Sequence, residues 1–431
     1  MTLSTKSNLA LGLSTILTLF FVCSAFAQPT LSRTLSAQSE ITLLTASPGD
    51  ELYSVFGHSA LRVVDPENNI DLVFNYGTFD FNTPNFYVKF ARGKLLYKLS
   101  VAPMEYFLAE YKFDGRAIYE QLLNLNLRER QAVYDFLLIN QLPENAYYQY
   151  DFFYDNCATR IRDLIDEIVE PIWFDYPGVL PEAMEKLRSL LDYQFHYQPD
   201  FHTHRTLRQM LQPLLTEMPW STFGIDLALG LPADKVATPW DFMYLPDEML
   251  IAFALASLPD GSPLVAEHRV LLAKTVVPSP AGFITPNMVF WFVFLLALLS
   301  FVSKTTSRVF DKTFFTVLGI TGVVVLILWF FTDHITTKGN LNLLWAIPTH
   351  LYFIWVAGYG VPRLSVRFYF RAVAALSVLM LVAWNWIPQG FNSAFFPVVC
   401  TVLVKSLPYA FEIPQLLSFW NREKSPENGV A

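Results

Sequence analysis

The feature that most constrains this chain is a series of five long apolar segments near its C-terminus. The segments are Phe283–Ser303, Thr313–Thr332, Leu341–Pro362, Ala372–Phe391 and Asn392–Ile413. Only the last contains charged residues, Lys405 and Glu412. A helix of about 20 residues, rising ~1.5 Å per residue, crosses a ~30 Å hydrocarbon core and satisfies its own backbone there. The sequence therefore predicts an all-α bundle of five transmembrane helices over residues 282–413.

The charges between these segments orient the bundle. If the first helix enters from outside, the outside connections carry one basic residue, Lys338, and the inside segments carry eight. The eight are Lys304, Arg308, Lys312, Arg363, Arg367, Arg371, Arg422 and Lys424. Because cytoplasmic loops are rich in Lys and Arg, we expect a protein of the bacterial inner membrane. Its large domain would face the periplasm, and residues 414–431 would form a cytoplasmic tail.

The N-terminus has the pattern of an export signal, which agrees with that orientation. Lys6 precedes the apolar run 9–22, and the run is followed by the small-x-small sequence Ala25-Phe26-Ala27. We expect residues 1–27 to be a signal peptide cleaved after Ala27, and an uncleaved anchor helix is the alternative. In either case residues 28–281 would form a periplasmic domain.

Composition excludes several functional classes. The net charge of −8 leaves no basic surface for a nucleic acid, and 53% hydrophobic residues exclude general disorder. Three cysteines cannot build a disulfide scaffold. His202-Thr203-His204 has no nearby set of Cys, His or carboxylate ligands, so we expect a solvated loop there rather than a metal site.

The strongest chemical signal is Cys157 at the predicted start of a helix. The helix is indicated by apolar residues at helical spacing, namely Ala158, Ile161, Leu164, Ile165 and Ile168. Asp155 or Asn156 is a suitable N-cap, and the free N–H groups of a helix start stabilise a thiolate. Arg160 and Arg162 add positive charge. Cys157 is therefore a candidate nucleophile, and a small buried hydrophobic residue is the alternative; Cys400, in the last span, is expected only to pack.

A nucleophilic thiol needs a base, and His58 is the candidate. Residues 56–64 alternate like a half-buried strand, residues 65–68 form a turn, and residues 72–76 form the returning strand. The alternative for such a histidine is an ordinary core or surface position. Arg116 and Tyr119 are expected on the surface.

The predicted pairing of the two strands brings Asn75 to His58. If Val64 is opposite Asn69, the residue numbers of each pair sum to 133, and His58 lies directly across from Asn75. Asn75 would then hold the imidazole in its working tautomer, as the third member of a thiol triad does. A bulge would change this register. Arg62 shares the strand face of His58, where it would orient substrate or pair with an acid.

Several motifs together resemble the Lnb-type family of membrane lipoprotein N-acyltransferases and their relatives. They are Pro48–Tyr53, Phe56–Val63, Asn75–Gly77, Tyr150–Arg160, Phe223–Gly230, Thr332–His334 and Asn340–Trp345. The family has an exported thiol domain followed by membrane spans, and the resemblance runs from about Ile41 through the third span. The order of His before Cys also resembles circularly permuted papain-like folds. The resemblance therefore implies an α+β exported domain of that type, with the histidine strand before the cysteine helix.

The resemblance implies acyl transfer through a thioester. His58 would take the proton of Cys157, and the thiolate would attack an acyl ester of a diacylglyceryl lipoprotein. The N-terminal amine of the lipoprotein would then take the acyl group. The backbone N–H of Cys157 is a candidate oxyanion donor. Membrane lipid and lipoprotein would be the partners, with no cofactor or metal required and no nucleic acid involved; the oligomeric state is not predicted.

Six residues are predicted to contact substrate. They are Arg62, Asn156, Arg160, His334, Lys338 and Asn340. The last three lie in the outside loop between the second and third spans, at the level of the lipid headgroups. Lys338 could meet a lipid phosphate and His334 could assist positioning. A hydrated connection between helices is the alternative for this loop.

Two other functions remain open at this stage. A periplasmic cysteine hydrolase would use the same residues on a cell-wall peptide or a lipid ester, with water as acceptor; the sequence shows no site for an amine. A non-catalytic membrane scaffold would bind a partner through its exported domain. Loss of Cys157 or His58 from otherwise similar chains would favour the scaffold.

Overall fold

The structure is a computed structural model. It describes residues 34–80, 82–169, 172–174, 205–275, 282–357 and 363–411. The predicted signal peptide, His202, His204 and the predicted cytoplasmic tail lie outside the described residues. The described chain forms an α+β N-terminal domain followed by a helical region with apolar helices.

Seven antiparallel strands form one sheet in the N-terminal domain. They are β1 (Glu40–Ala46), β2 (His58–Asp65), β3 (Ile70–Thr78), β4 (Leu96–Pro103), β5 (Ile118–Leu123), β6 (Tyr147–Gln149) and β7 (Val265–Leu272). Their order across the sheet is β6-β4-β3-β2-β1-β5-β7. The two predicted strands are present as β2 and β3, and burial alternates in the second half of β2, from Leu61 to Asp65.

The register of β2 against β3 differs from the prediction by two residues. Asp65 pairs with Ile70, so the residue numbers of each pair sum to 135 rather than 133. Asp65 is buried, and both its carboxylate oxygens accept hydrogen bonds from Ser36, at 2.6 and 2.7 Å. Asp65 therefore stays in the strand, and the 3-10 helix Pro66–Asn68 makes the turn. Extended to the start of β2, this register places Gly77 rather than Asn75 opposite His58.

Helices cover both faces of the sheet. They are α1 (Phe86–Ala91), α2 (Met104–Phe113), α3 (Leu127–Asn140), α4 (Cys157–Ile168), α5 (Leu207–Leu211), α6 (Pro219–Ala228), α7 (Pro239–Phe242) and α8 (Pro246–Leu255), with 3-10 helices at Gln212–Leu215 and Leu231–Asp234. On one face, Tyr134 of α3 and Ile161 of α4 belong to the largest apolar cluster, with Phe74 of β3. On the other, Phe107 and Tyr111 of α2 pack on a smaller cluster.

Apolar helices occupy the part of the chain that the sequence predicts to be in the membrane. They are α9 (Pro286–Leu299), α10 (Lys304–Phe330), α11 (His350–Val356), α12 (Leu364–Val382) and α13 (Phe395–Phe411), with 3-10 helices at Ser300–Val302, Ile335–Thr337 and Leu341–Leu344. Among the described residues, α10 and α12 are long and apolar enough to cross a membrane, and α9 with its extension and α13 are shorter apolar helices. Large apolar side chains such as Phe292 and Leu379 are exposed, as on a lipid-facing surface.

The predicted third span differs most from the structure. Its described part is the 3-10 helix Leu341–Leu344 followed by the short helix α11, and Pro348 lies between them. Proline has no N–H to continue a helix, and apolarity alone did not reveal this break. The second and fourth helices begin before their predicted starts, at Lys304 and Leu364, because absence of charge marks the membrane core rather than the whole helix.

One end of the sheet lies next to the helical region. Leu96, the first residue of β4, pairs with Gln149, and the Gln149 amide donates to Asp333 just beyond α10 at 2.9 Å. His58 lies at this same end, opposite Ala46 at the end of β1. The turn Pro66–Asn68 lies at the far end. The fold therefore places His58 on the side of the domain that faces the membrane helices.

Candidate active site

Asn156 fixes the start of α4. Its side-chain oxygen accepts from the N–H groups of Ala158 and Thr159, both at 2.9 Å, and the Thr159 hydroxyl accepts from the Asn156 N–H at 2.8 Å. Its amide nitrogen donates to the carbonyls of Phe152 and Tyr244. Asn156 is buried and fully engaged, so it caps the helix rather than binding substrate, which corrects its predicted role.

Cys157, His58 and Asn75 lie together in the order of a thiol triad. The His58 ring and the Cys157 side chain both lie beside Gly77, close enough that their interaction shifts the pKa of each group. Its Nε2 lies 2.6 Å from Oδ1 of Asn75 and donates to that oxygen, which leaves Nδ1 for the sulfur. The predicted contact between His58 and Asn75 is therefore present, although the two are diagonal rather than direct cross-strand neighbours. The arrangement can deprotonate a thiol and hold the resulting imidazolium.

Gly77 sits between the base and the nucleophile. It adopts φ +92°, and a Cβ there would lie 3.6 Å from Cε1 of His58 and 3.8 Å from Cβ of Cys157. The register of β3 against β4 shifts between Asn75 and Thr78. Bulges re-aim side chains beside functional sites. A glycine two residues after the strand residue that contacts the base is the signal that sequence reasoning left unused.

The charges of the pair stabilise each other. Burial alone lowers the pKa of His58 and raises the pKa of Cys157, because it penalises both charged forms. The opposite charges and their hydrogen bond reverse both effects, so the pKa of His58 is raised and that of Cys157 is lowered. The N–H groups of Ser59 and Ala158 further lower the pKa of the thiol. The site therefore stabilises the charged forms of both groups more than burial destabilises them.

Tyr111 and Arg116 stand behind the base. The Tyr111 ring stacks on His58 at 6.4 Å between centroids, and the Arg116 guanidinium lies 4.7 Å above the Tyr111 ring. The Arg116 Nε donates to the carbonyl of Ser47 at 2.7 Å. Arg116 and Tyr119 are buried, which corrects the expectation that both are on the surface. The positive charge of Arg116 opposes the rise in the pKa of His58.

Arg62 and Arg160 are both paired with acids, and the predicted contact of Arg160 with substrate stays a prediction. Arg62 donates to Asp71 at 2.7 and 2.8 Å and to the buried Glu120 at 2.8 Å, which is the second of its two predicted alternatives. Arg160 donates to Asp155 at 2.6 and 2.9 Å. Its guanidinium also lies 3.7 Å above the ring of Tyr148. Both arginines stabilise the fold around the site.

The predicted headgroup loop is mostly a junction with the N-terminal domain. The His334 ring donates to the Phe90 carbonyl at 3.1 Å. Asn340 is buried and donates to the carbonyls of Leu227 and Ala228, at 2.8 and 3.1 Å. The burial of Asn340 argues against its predicted contact with substrate, whereas the contact of His334 with substrate stays a prediction. The Lys338 side chain is exposed, as a headgroup contact requires.

No group of three or more metal-ligating side chains occurs among the residues that the structure describes. Both described cysteines, Cys157 and Cys400, are free thiols. Cys400 is half-buried in α13, which agrees with a packing role.

The comparisons with known proteins divide the chain at the same place as its hydrophobicity does. Residues 27–190 match the Lnb N-terminal periplasmic domain, and residues 279–413 match the Lnb transmembrane domain. No curated protein and no solved structure gives a significant match. The first matched segment contains His58, Asn75 and Cys157.

Proposed function

This chain belongs to the Lnb family, as a membrane protein with a periplasmic N-terminal domain, and from that premise we propose that it is a membrane acyltransferase. It moves an acyl chain from the diacylglyceryl ester of a lipoprotein to the N-terminal amine of that lipoprotein. The observation that carries the proposal is that His58, held by Asn75, lies beside Cys157 at the end of the sheet nearest the membrane helices.

The first half-reaction forms a thioester. The Cys157 thiolate attacks the ester carbonyl, and the carbon–oxygen bond to the glyceryl group breaks. The His58 imidazolium gives its proton to the departing alkoxide, which leaves as a hydroxyl. The oxyanion that develops needs a donor. The N–H of Cys157 is suited to this, because it opens α4 and has no intrahelical acceptor.

The second half-reaction forms the amide and restores the pair. The lipoprotein amine attacks the thioester carbonyl, the carbon–sulfur bond breaks, and the thiolate leaves. His58, now neutral, takes the proton that the amine loses. An amine is a better nucleophile than water towards a thioester, so transfer competes with hydrolysis where water is excluded.

The finer architecture belongs to the same proposal. The N-terminal domain is a permuted papain-like fold, supported by the histidine strand β2 preceding the cysteine helix α4. The five apolar segments of residues 282–413 make five crossings of the bacterial inner membrane with the C-terminus in the cytoplasm, supported by the eight inside basic residues against one outside. A reporter fused after Lys312 or Arg371 is expected in the cytoplasm, and one near Lys338 is expected outside. A cytoplasmic location of the reporter fused near Lys338 would refute the topology with five crossings.

The reaction is tested in a strain that lacks its lipoprotein N-acylating enzyme. The chain, its Cys157→Ser variant and its Cys400→Ser variant are expressed there, and lipoprotein N-termini are identified by mass. The intact chain and Cys400→Ser should give an N-acylated lyso form, and Cys157→Ser should not. Full N-acylation by Cys157→Ser would refute the thioester. Release of free fatty acid or cleavage of peptide would favour the hydrolase instead.

A further inference from the structure

The short helix α1 lies where a membrane helix ends. The backbone N–H of Asp333, three residues after α10, donates to the carbonyl of Arg92 at 3.0 Å. The His334 ring donates to the carbonyl of Phe90, and the Lys94 ammonium lies 3.4 Å from the Asp333 carboxylate. These contacts hold the C-terminal end of α1 at the outer end of α10.

Apolar side chains from both parts of the chain are exposed around this contact. On the domain side, Val88 is 58% exposed, Phe90 is 51% exposed and Leu96 is 54% exposed. On the membrane side, Phe330 and Phe331 are 63% and 68% exposed. Single exposed apolar residues are ordinary, but a group at the end of a membrane helix is typical of an interaction surface.

The segment around α1 has a charge opposite to that of the whole chain. Residues 81–98 contain four basic residues and no acidic residue, in a chain of net charge −8. The basic residues are Lys89, Arg92, Lys94 and Lys98. The same segment contains five aromatic residues. Aromatic and basic residues together are typical of elements that lie at a membrane interface, where cations meet lipid phosphates.

We propose that α1 inserts into the outer leaflet of the membrane, with Phe90 among the acyl chains and Lys89, Arg92 and Lys94 at the level of the phosphates. The occupant of this surface is the phospholipid bilayer. The proposal goes beyond acyl transfer, because it requires only a membrane protein with an exported domain.

Aromatic contacts connect α1 to the segment that carries the thiol. The Phe86 ring lies 5.8 Å from Phe79, and Phe79 lies 5.2 Å from Tyr97. Tyr97 stacks on Tyr150 at 4.2 Å, in the segment that leads into Cys157. Since aromatic packing is rigid, the depth of α1 in the leaflet sets the height of the thiol above the bilayer.

Photocrosslinking of the full chain in nanodiscs tests the insertion. The nanodiscs contain phosphatidylethanolamine and phosphatidylglycerol, and p-benzoylphenylalanine replaces Phe90 in one variant, Phe292 in a second and Glu67 in a third. Phe292 is exposed on α9, and Glu67 is exposed in the turn at the far end of the sheet. After irradiation, mass spectrometry should find phospholipid adducts at positions 90 and 292 and none at 67. An adduct yield at position 90 equal to that at 67 would overturn the proposal.

A charge substitution tests the consequence for the thiol. Phe90→Glu should lower N-acylation of a lipoprotein embedded in a bilayer several-fold, and leave the rate at which iodoacetamide alkylates Cys157 unchanged. Ile139→Glu, on an exposed position of α3, should change neither. Equal N-acylation by Phe90→Glu and the intact chain would refute the link between α1 and the thiol. Adducts at position 90 without any N-acylation by the intact chain would retain the insertion and refute the acyltransferase.

Discussion

The thiol site and the junction between the domains both bury charge, but they neutralise it to different degrees. At the junction, Arg208 is 1% exposed and donates to both Asp226 and Asp234, at 2.9 to 3.1 Å, and to the carbonyls of Leu229 and Gly230. At the thiol site, Cys157 and His58 are half-buried and depend chiefly on each other. A buried charged group whose hydrogen bonds are all made, such as Arg208, gains or loses a proton only at a large cost in free energy. A group with one main partner, such as Cys157 or His58, does so at a smaller cost.

The junction joins the two parts of the molecule. The amide of Asn392, before α13, donates to Asp226 at 3.0 Å, and the N–H of Gly390 donates to Asp234 at 3.0 Å. A Cβ on Gly230 would collide with the carbonyl of Lys338. The comparison indicates that a buried charged residue marks chemistry only where its partners leave it free to titrate.

The largest expected effect is loss of the base. His58→Ala removes the group that holds the thiolate and shuttles the proton, so N-acylation should fall by roughly 10³-fold or more. His268→Ala, in β7, should keep full activity. Mass spectrometry of lipoprotein N-termini measures both. Activity of His58→Ala within tenfold of the intact chain would mean that another residue is the base.

Loss of the buried Arg208 should lower the stability of the fold and leave the catalytic step unaffected. Arg208→Met leaves Asp226 and Asp234 buried without their cation, and the expected cost is about 3–5 kcal/mol in the free energy of unfolding. Arg269→Met removes exposed ion pairs with Glu40 and Glu267. Its remaining pair is with the buried Glu120, which Arg62 also holds, so a smaller loss is expected than in Arg208→Met. Thermal unfolding in detergent compares the two variants. Equal losses would show that the junction is not a structural clamp.

Asn75→Ala should give an intermediate effect. It removes one hydrogen bond to a charged ring, which is worth roughly 1.5–3 kcal/mol, or roughly 10- to 100-fold in rate. The loss should appear in kcat with little change in KM, because Asn75 acts through His58. An unchanged kcat would remove Asn75 from the site.

The pH dependence of Cys157 alkylation measures how far His58 lowers the pKa of the thiol. The pKa of Cys157 is lowered by His58, so the thiolate persists below the usual pH range of a free thiol. Alkylation by iodoacetamide should therefore rise at lower pH in the intact chain than in His58→Ala, where burial raises the pKa of the thiol. Coincident profiles for the two chains would show that the pair is not ionic.

Local features of the site could be predicted from sequence, and tertiary ones could not. The helix start at Cys157 and the cap Asn156 follow from neighbouring residues. The contact between His58 and Asn75 survived a wrong register, because a shift of two residues keeps both side chains on the same face of the sheet. A shift of one would have separated them. The shift itself depends on Ser36, which holds Asp65 from 29 residues away.

The corrected residues depend on partners that are distant in sequence. The sequence around Asn340 predicts an exposed loop. In the structure Asn340 is buried, and its amide donates to a carbonyl 113 residues away. Arg116 and Tyr111 acquire their place behind His58 only when α2 packs on the sheet. Neither the spacing of apolar residues nor a helix-capping motif indicates contacts between residues so distant in sequence. Only the folded structure reveals them.

The smallest effect is expected from alanine at Gly77. Comparison with alanine at Gly261 separates the cost of backbone strain from an effect on catalysis. Gly77 and Gly261 adopt similar conformations, at φ +92° and +83°, and a Cβ would meet the site at Gly77 and open space at Gly261. Alanine at either position should cost about 1–2 kcal/mol in the free energy of unfolding, because L-residues rarely adopt such angles. Only Gly77→Ala should also lower N-acylation, because relaxation of its backbone would move Asn75 away from His58. Thermal unfolding and N-terminal mass analysis of the two variants provide the measurements. Equal activity in both would mean that the bend at Gly77 supports the fold alone.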